Sequence, residues 1–231
     1  MNDRATARRA ALALALASVL AIAGFTVLGS VFEYPQVLDE PTADILALYR
    51  AHQGAVRTWF LVLALSAALM APAGVWLGRL ASGRLGRWIA VTGVAAAVVQ
   101  VAGLQRWVTI VPGLARDALD PTRGASAEDA FERWHLVLGK VVGETLGYAL
   151  TATFTVLVAL ALRDRVLPRW LVLTGYVAAA LIATGVVIPL VDAASLTNFA
   201  GYVVWCAWLL AVAAVLFRVP AEKPLRAGRV V

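Results

Sequence analysis

Charge is what this chain has least of. Charged residues make up 15% of its 231 positions, against about 25% in an ordinary soluble domain. Such a chain has too little polar surface to coat a water-soluble core. Lysine is nearly absent, with only Lys140 and Lys223, while arginine and alanine abound. That usage points to a GC-rich bacterial genome. The single cysteine, Cys206, excludes a disulfide within the chain. The two histidines, His52 and His135, leave little for a metal centre. Glycine-rich phosphate loops and a G-x-S-x-G elbow are missing, so phosphate-cradling and serine-hydrolase chemistry find no motif. No catalytic residue, cofactor or metal ligand set is assigned.

What is present is apolar sequence, 61% of the chain. Runs of about 20 apolar residues recur, the length that crosses a bilayer of about 30 Å. They must be helical, because lipid offers no partner to an open backbone group. Six such segments span about Ala10–Val31, Val56–Leu80, Trp88–Val111, Trp134–Leu162, Trp170–Val191 and Phe199–Phe217. The expected fold is all-α: an integral membrane six-helix bundle forming one transmembrane domain over residues 1–231. The N-terminal span has the layout of a secretory signal but a longer apolar run, and reads as an uncleaved anchor.

The net charge of +6 is a matter of distribution. Arg4, Arg8, Arg9, Arg79, Arg84, Arg87, Arg163, Arg165, Arg169, Arg218, Lys223, Arg226 and Arg229 all flank one side of the spans. Glu33, Asp39, Glu40, Asp44, Asp117, Asp120, Glu128, Asp129, Glu132 and Asp192 flank the other. By the positive-inside rule both termini are cytoplasmic. The basic excess is then a topology signal and not a nucleic-acid footprint. The expected location is a bacterial cytoplasmic (inner) membrane, with the lipid bilayer as the partner. Trp76, Trp88 and Trp170 fit an inner aromatic belt, and Trp59, Trp107 and Trp134 an outer one. Trp205 and Trp208 lie deeper and pack between helices.

Two outer segments have structure of their own. In the first, Thr42 caps a short helix whose Ile45, Leu46, Leu48 and Tyr49 lie on the membrane surface. In the second, Ser126-Ala127-Glu128-Asp129 reads as a capping box. From Ala127 to Leu162 no breaker intervenes, giving one helix of about 54 Å whose top protrudes outside. A weak repeat relates Leu85-Gly86-Arg87-Trp88 with Thr92-Gly93 to Leu167-Pro168-Arg169-Trp170 with Thr174-Gly175, at an offset of 82 residues. It would make helices two and three a parallel copy of helices four and five.

The candidate site is a charged stripe on the fourth span. Arg133, Lys140, Glu144, Tyr148, Thr151 and Thr155 share one helical face. Ionisable groups inside a membrane segment mark function by default. Counting helical rise from the inner anchors, Arg106 lies about 27 Å above Trp88, Glu144 about 28 Å above Arg163, and Asp192 about 33 Å above Trp170. Arg106, Lys140, Glu144 and Asp192 thus form one polar layer near the outer edge. Lys140 and Arg106 are expected to pair with Glu144, locking helix three to helix four. The alternative is a vestibule open to the outside that binds a small polar or ionic ligand, with Glu144 as its key group. Tyr148 would continue a pathway inward, and Thr151 and Thr155 would either line it or bond a neighbouring helix. His135 follows Glu132 at the spacing of half a di-iron site, but no second pair exists. Gly139, Gly143 and Gly147 form a small-residue seam, within the chain or for self-association. Gln100 and Gln105 are expected to bond between helices.

The run Arg165-Val166-Leu167-Pro168-Arg169-Trp170-Leu171 with Gly175, preceded by Gly147-Tyr148 and its apolar stretch, resembles a bacterial family of polytopic membrane proteins. That family is catalogued as a domain of unknown function, number forty-three eighty-six. The resemblance is closest over the fourth and fifth spans. It implies a multi-pass fold and lends no activity, cofactor or catalytic residue. Function is therefore read first as a structural, regulatory or stress-related membrane component. A small-solute or ion transporter or channel comes second, and a membrane-embedded enzyme is the least favoured.

Overall fold

A computed structural model describes residues 3–191 and 193–219. Among these residues seven helices form: α1 (Asp3–Phe32), α2 (Thr42–Ala51), α3 (Gln53–Ala81), α4 (Gly83–Asp117), α5 (Gly124–Leu162), α6 (Arg169–Val187) and α7 (Ala194–Phe217). All but α2 are long and apolar enough to cross a membrane. The expectation of an all-helical chain with six long apolar helices holds. Among the described residues there is no sheet, only an isolated bridge between Arg163 and Leu167 in the α5–α6 turn.

Consecutive long helices run antiparallel and pack on one another. Because α1 also packs on α7, the six close into a ring. Asp3 and Phe217 lie at the same end, called here the terminal end; α2 sits at the far end. Small residues let the backbones close up. A Cβ on Gly86 would run into the carbonyl oxygen of Gly78 where α3 turns into α4, and one on Gly103 would stand 2.7 Å from Gly143 Cα between α4 and α5. Hydroxyls bind the ring across helices: Ser18 Oγ donates to the Cys206 carbonyl at 2.9 Å and Ser66 Oγ to the Ala17 carbonyl at 2.7 Å.

Helix breaks have local causes. α3 falters at Leu69, where the ring of Pro72 meets the carbonyl of the preceding turn. α4 does so at Ile110, just before Pro112. α5 starts at Gly124 with Arg123 as its cap and no side-chain cap bond, so the capping box at Ser126 does not form. It is also not α-helical throughout. His135–Leu146 is a π-helical stretch with i→i+5 pairing. Gly139 and Gly143 lower the cost of that geometry, and the Thr145 hydroxyl reinforces it by donating to the Lys140 carbonyl at 2.8 Å.

The core has two parts. The terminal half is an apolar cluster from all six long helices, including Leu14, Leu77, Phe154, Val158 and Leu209. The far half centres on fully buried Trp107, ringed by Phe32, Tyr49, Phe60 and Phe131 with centroids 5.0–6.0 Å away. Trp107 is thus core and not an outer belt residue. α2 turns Ile45, Leu46 and Tyr49 into this cluster instead of lying on a membrane surface. Burial pushes the Tyr49 phenol up to about 12, and its hydroxyl donates to the Trp107 carbonyl at 3.0 Å. The N-cap of α2 is Pro41; Thr42 donates instead to Glu132 Oε1 at 3.0 Å, tying α2 to α5.

Candidate functional site

Between the two cores lies a polar interior. Three elements build it: α4, the π-helical part of α5, and a strap formed by residues 33–41. After Phe32 the chain reverses at Glu33, with φ 53, and Tyr34 turns back into the ring. The Tyr34 ring stacks on Phe25 of α1 at 5.8 Å and meets Phe60 of α3 edge-on at 5.2 Å. Burial pushes its phenol above the ordinary range. The Glu144 carboxylate adds to that rise, and the Arg106 guanidinium opposes it. Tyr34 thus enters the ring from the strap, between α1 and α3.

Arg106 is 5% exposed. One terminal nitrogen donates to the Gly103 carbonyl at 2.6 Å, and its Nε has no hydrogen-bond partner. The guanidinium lies against Gly139, where a Cβ would approach within 2.8 Å of Nη2, and its carbon stands 5.1 Å from the Trp107 ring centre. The α5 glycines thus face α4 within the chain: Gly139 accommodates Arg106, Gly143 touches Gly103, and Gly147 abuts Gln100.

Glu144 is half-buried and makes no ion pair within 4.0 Å, either with Arg106 or with Lys140. The expected lock between them is not formed. The π-helical turn explains the second absence: with i→i+5 pairing, residues four apart no longer stand one above the other. Lys140 swings instead to Asp39 of the strap, Nζ to Oδ1 3.9 Å. His135 stacks on Phe131 at 5.6 Å with both ring nitrogens buried. Neither has a hydrogen-bond partner among the described residues.

Deeper in, the stripe is spent on neighbouring helices. Gln100 Nε2 donates to Thr151 Oγ1 at 2.8 Å, and Trp205 Nε1 to Thr155 Oγ1 at 2.8 Å. Tyr148 meets Tyr202 of α7 at 5.8 Å, and Tyr202 meets Trp205 at the same distance. Gln105 points outward and makes no such bond. Among the described residues no three His, Cys, Asp or Glu side chains gather in a way that could hold a metal ion.

A family described as Domain of unknown function (DUF4386) has a model that matches residues 10–213. The chain belongs to that family. No curated protein and no solved structure matches it.

Of the residues singled out in this DUF4386 member, Arg106, Glu144 and Tyr148 share the interior, with His135 on its α2 side and Lys140 towards the strap. Asp192 lies outside the described residues. Tyr34, Asp39 and Tyr202 belong to the site and escape a reading by hydropathy. Tyr34 sits in what hydropathy treats as a loop. Tyr202 is hidden in an apolar run, yet Asn198, Tyr202 and Trp205 stand at i, i+4 and i+7, a polar stripe readable on the sixth span.

Proposed function

We propose that this chain is a multi-pass protein of a bacterial cytoplasmic membrane that binds a small polar or ionic solute within its far half. Arg106 and Glu144 are the principal groups, and access is from the outer side. One observation carries this reading: two opposite charges share the inside of a bundle without bonding to each other. Buried ions are costly unless paired. A purely structural pair would close to contact, whereas a pair held apart leaves each charge for a third body. Tyr34, Tyr148 and Tyr202 add neutral phenols to this part of the bundle, as solute sites use. Orientation follows from charge: arginines cluster at the terminal end and acids at the far end, so the terminal end faces the cytoplasm.

Access can be tested with a small membrane-impermeant thiol reagent. The buried Cys206 is first replaced by Ala, and Glu144→Cys is then placed in that background. In intact cells the reagent should modify Glu144→Cys and the control Glu128→Cys, but not Arg84→Cys. If Glu144→Cys reacts only after detergent is added while Glu128→Cys reacts before, the outward site is lost. If Arg84→Cys reacts and Glu128→Cys does not, the orientation is reversed.

A further inference from the structure

We propose that the solute of this site is a small zwitterion, its carboxylate held by Arg106 and its ammonium by Glu144. The proposal rests on the binding-site reading above and deepens it. The argument is charge balance. Lys140 and Asp39 face each other at the strap and are 41% and 83% exposed, so they answer to one another and to water. Among the described residues the interior is left with one fixed cation, Arg106 on α4, and one fixed anion, Glu144 on α5. Tyr34 on the strap, Tyr148 on α5 and Tyr202 on α7 contribute phenols only. A simple anion or cation entering this balanced interior would add an uncompensated charge to a site inside the bundle, which low-dielectric surroundings penalise. A molecule with both charges adds none and gives each fixed charge a contact partner.

Donor geometry agrees. Arg106 spends one terminal nitrogen on the Gly103 carbonyl, and its buried Nε has no partner. A guanidinium presents its donors as a planar fork that matches a carboxylate's two oxygens. The orientation of the fork is set by Gly139 on one side and the Trp107 ring on the other. Glu144, in no ion pair with a described residue, accepts from an ammonium, and the tyrosine faces can take part of that charge by cation–π contact.

The test uses the full chain in detergent, read by tryptophan fluorescence and by thermal unfolding. The probes are glycine, β-alanine and 4-aminobutyrate, which differ in the separation of their charges, beside acetate and ethylammonium at equal ionic strength. At least one zwitterion should give a saturable response that neither simple ion gives. Its apparent Kd should weaken at least tenfold in Glu144→Gln and in Arg106→Lys, with Glu144→Asp recovering part. Gel filtration confirms that each variant is folded, and the probe series on the unaltered chain decides the question even if a variant fails. If acetate or ethylammonium responds as strongly as every zwitterion, the site takes a simple ion: the zwitterion is wrong and the binding site stands. If none of the five probes responds, the zwitterion proposal is overturned. The site itself falls only if Glu144→Cys is also unreactive from outside.

Discussion

The two halves of the ring obey different rules. In the terminal half, Gly78 and Gly86 meet backbone against backbone, and the core is apolar throughout. In the far half, α4 breaks at Ile110, α5 widens into a π-helix, and Arg106 stands against the Trp107 ring without an ion pair to Glu144. Every irregularity of the long helices that touches a charged side chain falls in the far half. A bundle gains nothing in stability from an unpaired arginine or a stretched helical turn. Strain and unmet polar groups concentrated in one half mark the part kept for function.

The sharpest way to break this contrast is to add one methyl group to each half. In Gly86→Ala the new Cβ meets the Gly78 carbonyl oxygen, backbone against backbone, with nothing able to rotate away. Overpacking of this kind costs about 3 kcal/mol or more. Gly139→Ala meets the end of the Arg106 side chain instead. That side chain can shift, so we expect a loss of about 1 kcal/mol or less, together with loss of solute binding because the guanidinium moves. Thermal unfolding of both variants in detergent measures the first pair of effects. Equal destabilisation would mean that the far half is packed as rigidly as the terminal one.

A smaller difference separates two buried tryptophans. Trp208 in the terminal half donates its indole N–H to the Leu171 carbonyl at 2.8 Å. Trp107 in the far half is fully buried, and its N–H has no partner. Replacing either with Phe removes a similar volume, but only Trp208→Phe also removes a hydrogen bond. It should cost more than Trp107→Phe by about 1 kcal/mol. A larger loss at Trp107 would show that its N–H is satisfied after all, and would weaken the description of the far half as polar and under-bonded.

Hydropathy and charge made the class of fold legible, because bilayer thickness fixes helix length and lipid forbids open backbone. They also put Arg106 and Glu144 at one height. What could not be read was their relation. The reasoning that paired Lys140 with Glu144 assumed an α-helical phase, and the π-helical stretch at His135–Leu146 rotates that phase away. Tyr34 was invisible for a different reason: a residue just past an apolar run counts as loop, and its return into the ring depends on the strap's reversal at Glu33. The capping signals at Thr42 and Ser126 also misled. Each has the right residue type, but the helix start was decided by tertiary contact, as when Thr42 bonds Glu132 across 90 residues.

The smallest effect lies at the far-end turn between α4 and α5, where polar groups are fully satisfied but sit on the surface. Asp120 accepts from the Thr122 hydroxyl at 2.6 Å, the Thr122 backbone N–H at 2.8 Å, and the Arg123 fork at 2.9 and 3.1 Å. These bonds, the Thr122 hydroxyl first, hold its carboxyl well below the usual carboxylate range. A depressed folded value adds stability only above the unfolded value of about 3.9, and that contribution disappears as pH falls through the folded one. Across neutral and mildly acidic pH the turn should therefore stay charged and intact. The carboxyl ¹³C shift of Asp120 should titrate with a midpoint below the ordinary value. Asp120→Asn should leave the unfolding temperature nearly unchanged, since the group is exposed and water screens its bonds. A fall in unfolding temperature comparable to that of Trp208→Phe would place real stability in this turn, and the far half would then owe its order to its surface as much as to its aromatic core.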